Sequence, residues 1–86
     1  VGIDPDEVGR RMAAWPGVRE VHDLHLWTIT SGFPALSAHV IVEPGVDCHA
    51  VRRELARLLA SDYRVLHSTL QVEHGDEPRP VRVRPA

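Results

Sequence analysis

The stretch His22-Asp23-Leu24-His25-Leu26-Trp27-Thr28-Ile29-Thr30-Ser31-Gly32, answered by Leu36-Ser37-Ala38-His39-Val40, decides how this chain folds. β-Branched and aromatic residues return from Val18 to Thr30. Ser31-Gly32-Phe33-Pro34 then supplies turn chemistry before a second extended run over residues 35–42. Two such runs joined by so short a turn predict an antiparallel hairpin. A third extended block, residues 64–74, places Leu66, Leu70 and Val72 on one side and His67, Thr69, Gln71 and Glu73 on the other, by the strand period of two.

Helix signals fill the intervals. Asp4 suits an N-cap and Pro5 the first helical position. Glu7 stands three residues after Asp4, where it can close a capping box, and Ile3 and Val8 can form a hydrophobic staple. This helix is expected over residues 5–14, with Val8 and Met12 facing the core, until Pro16-Gly17 stops it. After the hairpin, Glu43-Pro44-Gly45 breaks the strand and Asp47 offers a second N-cap. Val51, Leu55, Leu58 and Leu59 then mark an apolar stripe at helical spacing over residues 48–60. Arg52, Arg53, Glu54 and Arg57 fall on the opposite side and read as a solvated face rather than an anion site.

A strand-helix-strand unit takes a right-handed crossover, so the third strand should run parallel to the second with both helices on one face. The expected fold is therefore α+β: a truncated ferredoxin-like αββαβ unit with a three-stranded mixed sheet. At 86 residues there is room for one small domain, and 43% hydrophobic with 26% charged residues argues against disorder. The domain is expected over residues 1–75, and the Pro- and Arg-containing residues 76–86 read as a flexible, linker-like tail. A net charge of −2 with mixed signs leaves nucleic acid without an electrostatic footprint. The single cysteine, Cys48, excludes an internal disulfide. No run approaches the ~18 apolar residues of a membrane span, so the fragment itself reads as soluble. Its start at Val1-Gly2-Ile3, directly before a helix signal, fits a piece of a longer protein.

The topology sorts the metal-ligating side chains. His22 near the start of the first strand, His39 near the end of the second and Glu73 near the end of the third converge at one end of the sheet. His67 precedes Glu73 by six residues, roughly 20 Å along a strand, and belongs to the other end, at a separate site or in a structural role. Two histidines and a carboxylate suit a borderline cation such as Zn²⁺, which takes about four ligands. His49, early in the second helix, lies at the right end to supply the fourth or to hold a second ion; Asp47, Cys48, His74, water or another subunit are alternatives. Asp23 reads as an orienting partner for a histidine, His25 as a packing or interface residue, and Trp15 and Trp27 as core or interface anchors. The hairpin register has two readings. A four-residue loop pairing Thr30 with Ala35 puts His22 on the same face as His39 but places Asp23 and His25 beneath the helices. A bulge near Gly32 turns Leu24 and Leu26 inward and leaves His22 at the strand edge.

Taken together, the three blocks around His22-Asp23-Leu24-His25-Leu26-Trp27, Leu36-Ser37-Ala38-His39-Val40 and His67-Ser68-Thr69-Leu70-Gln71-Val72-Glu73 resemble the C-terminal cytoplasmic domain of cation diffusion facilitator transporters, over about residues 3 to 74. The resemblance implies a metallochaperone-like version of the same fold and a transmembrane transport domain N-terminal to the fragment, on the cytoplasmic side of a membrane. It also implies a homodimer that closes when Zn²⁺, or an ion such as Cd²⁺, Co²⁺ or Ni²⁺, binds at positions matching His22, His39 and Glu73, with His49 used in some members. No enzymatic role is implied. The competing readings are a free-standing metallochaperone-like module and, more remotely, a hydrolase with Glu73 as general base.

Overall fold

The chain enters its first helix, α1 (Pro5–Ala13), through Asp4, whose side chain accepts a hydrogen bond from the Asp6 N–H at 2.9 Å. The computed structural model describes residues 3–29 and 32–75; the expected tail, residues 76–86, lies outside them. Glu7 does not turn back to close a capping box. Its Oε2 accepts a hydrogen bond from the Tyr63 hydroxyl at 3.1 Å, at the far end of the second helix. Arg11 reaches the same place, pairing with Asp62 at 2.9 Å. Gly17 links α1 to the sheet at φ +89°, where an added Cβ would stand 3.1 Å from Val46.

The remaining elements are β1 (Val18–Thr28), β2 (Pro34–Val42), α2 (Cys48–Tyr63) and β3 (His67–His74). The strands lie in the order β1-β2-β3, with β1 antiparallel and β3 parallel to β2. This is the αββαβ mixed sheet that the crossover rule requires. Leu36, Ala38, Val40 and Val42 of β2 and Leu70 of β3 turn to the helices and join Val8, Met12, Val51, Leu55, Leu58, Leu59 and Val65 in one core. The alternate residues of β2 and β3, among them Ser37, His39, Thr69 and Glu73, fall on the outer face of the sheet by the strand period. Neither helix is long and apolar enough to cross a membrane.

Two boundaries differ from the sequence reading for local reasons. Helix α2 continues through Ser61, Asp62 and Tyr63, where contacts to α1 hold its last turn. It then ends at Arg64, in the left-handed conformation (φ 58°), with the Val65 N–H bonded to the Leu59 carbonyl at 3.0 Å. That cap uses the residues expected to begin the third strand. Leu66 therefore stands outside β3 and is 64% exposed rather than core-facing, while Val65 takes the buried position. The hairpin matches neither expected register. Thr28 pairs with Pro34, so residues 29–33 make the connection.

Leu55 is fully buried, so Leu55→Ala should cost about 3 kcal/mol in urea unfolding, against less than about 0.5 kcal/mol for Leu66→Ala. Asp47, the N-cap of α2, accepts from the N–H groups of Ala50 and His49, and chiefly the Ala50 bond holds its carboxyl below the ordinary value of 3.8. A depressed folded-state pKa gives stability that is present above the unfolded value and lost as pH falls through the folded one. Asp47→Asn keeps a cap acceptor but removes the titration, so its stability should fall less steeply below about pH 4 than that of the parent chain.

Candidate metal centre

The site begins with an irregularity in β1. His22 pairs with His39, but the next pair is His25 with Ser37, so Asp23 and Leu24 together oppose the single residue Ala38. Asp23 absorbs the extra length at φ +55°, a left-handed conformation that aspartate tolerates better than most side chains and β-branched residues resist. A bulge shifts the alternation by one residue. Before it, Val21 packs against the core and His22 points outward. After it, Leu24 and Leu26 pack against the core while His25 and Trp27 remain exposed. The structure thus combines features that the two sequence registers kept apart, His22 on the same face as His39 and no aspartate or histidine beneath the helices, and it places His22 directly opposite His39.

Around this bulge the polar side chains gather. The His22 and His39 rings meet edge to face, with centroids 4.5 Å apart and planes at 65°. His39 Nε2 lies 2.9 Å from Glu73 Oε2, and both side chains are only part-exposed. His22 Nδ1 lies 3.2 Å from Asp23 Oδ2, and its Nε2 3.9 Å from Glu20 Oε1. One ligand atom each from His22, Asp23 and His39 falls within 4.8 Å of the other two. A tetrahedral ion with bonds of about 2.0 Å holds its donors about 3.3 Å apart. Small side-chain rotations therefore bring this set to coordinating distance. Two imidazoles with carboxylate neighbours, accessible from the outer sheet face, form a donor set suited to Zn²⁺ and similar ions.

The other residues singled out in the sequence stand apart from that group. His67 pairs with Ala35, at the opposite end of β3 from Glu73, which pairs with Ile41. His49 sits in the first turn of α2, its N–H donating to Asp47 Oδ1 at 3.0 Å, and α2 packs on the helix side of the sheet. Asp47 is committed to that cap. His74 Nε2 donates to the Val46 carbonyl at 2.7 Å, and Cys48 is half-buried against the core. Trp15 packs against the core and donates to Glu54 Oε1 at 2.9 Å, whereas Trp27 is 47% exposed. Asp23 is the residue whose reach exceeded its sequence reading. Adjacent residues of a regular strand point to opposite faces, so only the bulge allows a His-Asp dipeptide to present both side chains together.

The family model described as the cytoplasmic domain of cation efflux proteins matches residues 2–75. The chain is 39% identical over 72 residues to the metal cation efflux system protein CzcD of Cupriavidus metallidurans, covering 83% of this chain and 23% of that protein. It is 38% identical over 79 residues to the vacuolar zinc transporter TgZnT of Toxoplasma gondii, covering 92% of this chain and 9% of that one. The chain thus spans less than a quarter of the length of these curated relatives. Among solved structures, the metal-bound C-terminal domain of the Cupriavidus CzcD transporter superposes with a TM-score of 0.78 at 39% identity, covering 83% of this chain and 99% of that one. The Zn form of CzrB superposes with a TM-score of 0.63 at 28% identity, covering 92% and 97%.

The bulge is testable through its backbone. Asp23→Gly, free to adopt φ +55°, should retain the hairpin register and most of the stability, whereas Asp23→Val should lose about 1–2 kcal/mol in chemical denaturation. Equal stability of the two variants would show that the left-handed conformation does not govern the strand.

Proposed function

The chain belongs to the cation efflux proteins as a cytoplasmic domain, and from that premise we propose that it is the regulatory, dimerising part of a divalent-cation exporter whose transmembrane transport domain lies N-terminal to it. The observation that carries this reading is the pairing of His22 with His39 across the hairpin, with Asp23 and Glu73 beside them, on the sheet face that neither helix covers. His22, His39 and Glu73 would hold Zn²⁺ or an ion such as Cd²⁺, Co²⁺ or Ni²⁺, with Asp23 as a further carboxylate. The ion is effector and cargo rather than a resident cofactor, and no catalytic step is assigned to these residues. His49 and His67, outside the cluster, would serve a second ion or a structural role, and water or a second subunit takes any coordination position left open.

In this reading two copies meet through exposed surface at the hairpin end, where Trp27 and Phe33 are 47% and 50% exposed, and through the polar outer face bearing Ser37 and Thr69. Ion binding favours the closed pair only to the extent that the closed arrangement binds the ion more tightly. A hundredfold preference corresponds to about 2.7 kcal/mol, which is within the range of ordinary allosteric coupling.

Calorimetric titration of the metal-stripped chain with Zn²⁺ at neutral pH tests the site. We expect saturable binding at micromolar or tighter affinity, lost by about a hundredfold or more in the His22→Ala/His39→Ala double variant while its far-UV circular dichroism is unchanged. Unfolding of that variant would instead mark a structural zinc. Asp23→Gly, which spares the backbone, should weaken binding by about tenfold. Since neutral imidazole is the ligand form, affinity should fall on acidification. Light scattering with and without Zn²⁺ reads the association, and an unchanged mass on zinc addition would separate metal binding from dimerisation.

A further inference from the structure

The two edges of the sheet, β1 and β3, are built differently. The pairing of β1 is irregular twice, between Val18 and Glu20 and between His22 and His25. Such irregularities throw an edge out of step with an incoming strand. β3 instead keeps one unbroken register with β2 from His67 to His74 and contains no proline, glycine or lysine. Its far side pairs with no strand among the described residues. Alternate N–H and C=O groups there form a template for strand addition. The sheet has three strands where a complete βαββαβ unit has four.

Beside this edge runs a groove of about 240 Å³ lined by Arg52 and Ala56 of α2 and by Ser68, Thr69 and Leu70 of β3. Arg52 and Ala56 are one helical turn apart, and the small alanine leaves the space that Arg52 overlooks. Arg52 is exposed and makes no ion pair with the described residues. Charge discriminates between possible occupants. Residues 79–86 of this chain bring Arg79, Arg82 and Arg84 and no acidic side chain. A second copy paired antiparallel about the middle of β3 would bring two Arg52 side chains toward each other. Both meet like charge, whereas an acidic segment meets opposite charge.

We propose that the free edge of β3 accepts an extended segment of a partner protein in which Asp or Glu alternates with small or apolar residues. Its backbone pairs with β3, one carboxylate of the acidic side meets Arg52 where the small Ala56 leaves room for it, and the small or apolar residues turn to the opposite side. This surface is distinct from the His22–His39 site and does not depend on metal.

The probe is a fluorescein-labelled seven-residue peptide alternating glutamate with valine and threonine, titrated with the 86-residue chain at low salt and read by anisotropy and by backbone amide shifts. Saturable binding is expected, with the largest shifts and slowed amide exchange at residues 68–72. Arg52→Glu, a change at an exposed position, should weaken it by about tenfold. The same variant should favour a lysine-for-glutamate version of the probe and leave the zinc titration unchanged. No saturation at millimolar peptide, equal binding by Arg52→Glu, or shifts confined to β1 would overturn the proposal. So would binding that appears only after removal of residues 76–86, which would assign the edge to the chain's own tail. Concentration-dependent protection of residues 67–74 without peptide would assign it to a second copy.

Discussion

The arrangement depends on the conformation of one residue. Asp23 at φ +55° inserts an extra position into β1, and through it a single strand satisfies two incompatible alternations. The core requires Val21, Leu24 and Leu26 beneath the helices, at spacings of three and then two. On the outer face, His22 stands beside His39. A regular strand of period two delivers one or the other and sends histidines or an aspartate into an apolar layer, at a desolvation cost of several kcal/mol. With the bulge, no buried polar or charged residue occurs among the described residues, and the imidazoles stay at the solvent face.

The division of labour between the two faces follows from this. The inner face is apolar and is closed by both helices, and α1 and α2 are also tied together through Arg11, Asp62, Tyr63 and Glu7. The folding energy therefore comes from burial, and the donor cluster is carried on an already formed sheet. On that sheet, His22, His39 and Glu73 sit on three different strands. Strand pairing sets their backbone separations, and under the proposed function this preorganisation would lower the ordering cost of binding an ion.

Most of the fold was legible from the sequence because its signals are local and redundant. The caps at Asp4 and Asp47, the stripe Val51, Leu55, Leu58, Leu59 and the extended runs on either side of Gly32 each point to one element, and the crossover rule turns them into one topology. What escaped was decided by tertiary contacts. Glu7 had a plausible local acceptor role at Asp4 but met the Tyr63 hydroxyl from the end of the other helix. Leu66 read as sharing a face with Leu70 and Val72 because the alternation of β3 was extended backward through Arg64, which the structure uses as a left-handed helix cap. The grouping of His22, His39 and Glu73 at one end of the sheet could be worked out from strand directions alone. The reach of Asp23 could not, since a bulge leaves no simple periodic trace when its residue is an aspartate rather than a glycine.

A two-layer domain with one uncovered sheet face also constrains what a bound ion can do. A donor set enclosed within one subunit would be fully satisfied there and would bind equally in any arrangement of two copies, leaving their equilibrium untouched however high the affinity. The cluster at His22, Asp23, His39 and Glu73 is instead open to solvent, since His22 is exposed and His39 and Glu73 are only part-buried. Under the proposed function that openness is the source of regulation. A coordination position filled by water in the separated state and by a second subunit in the closed state makes ion affinity depend on the arrangement. The larger that dependence, the more of the binding free energy appears as a shift toward closure.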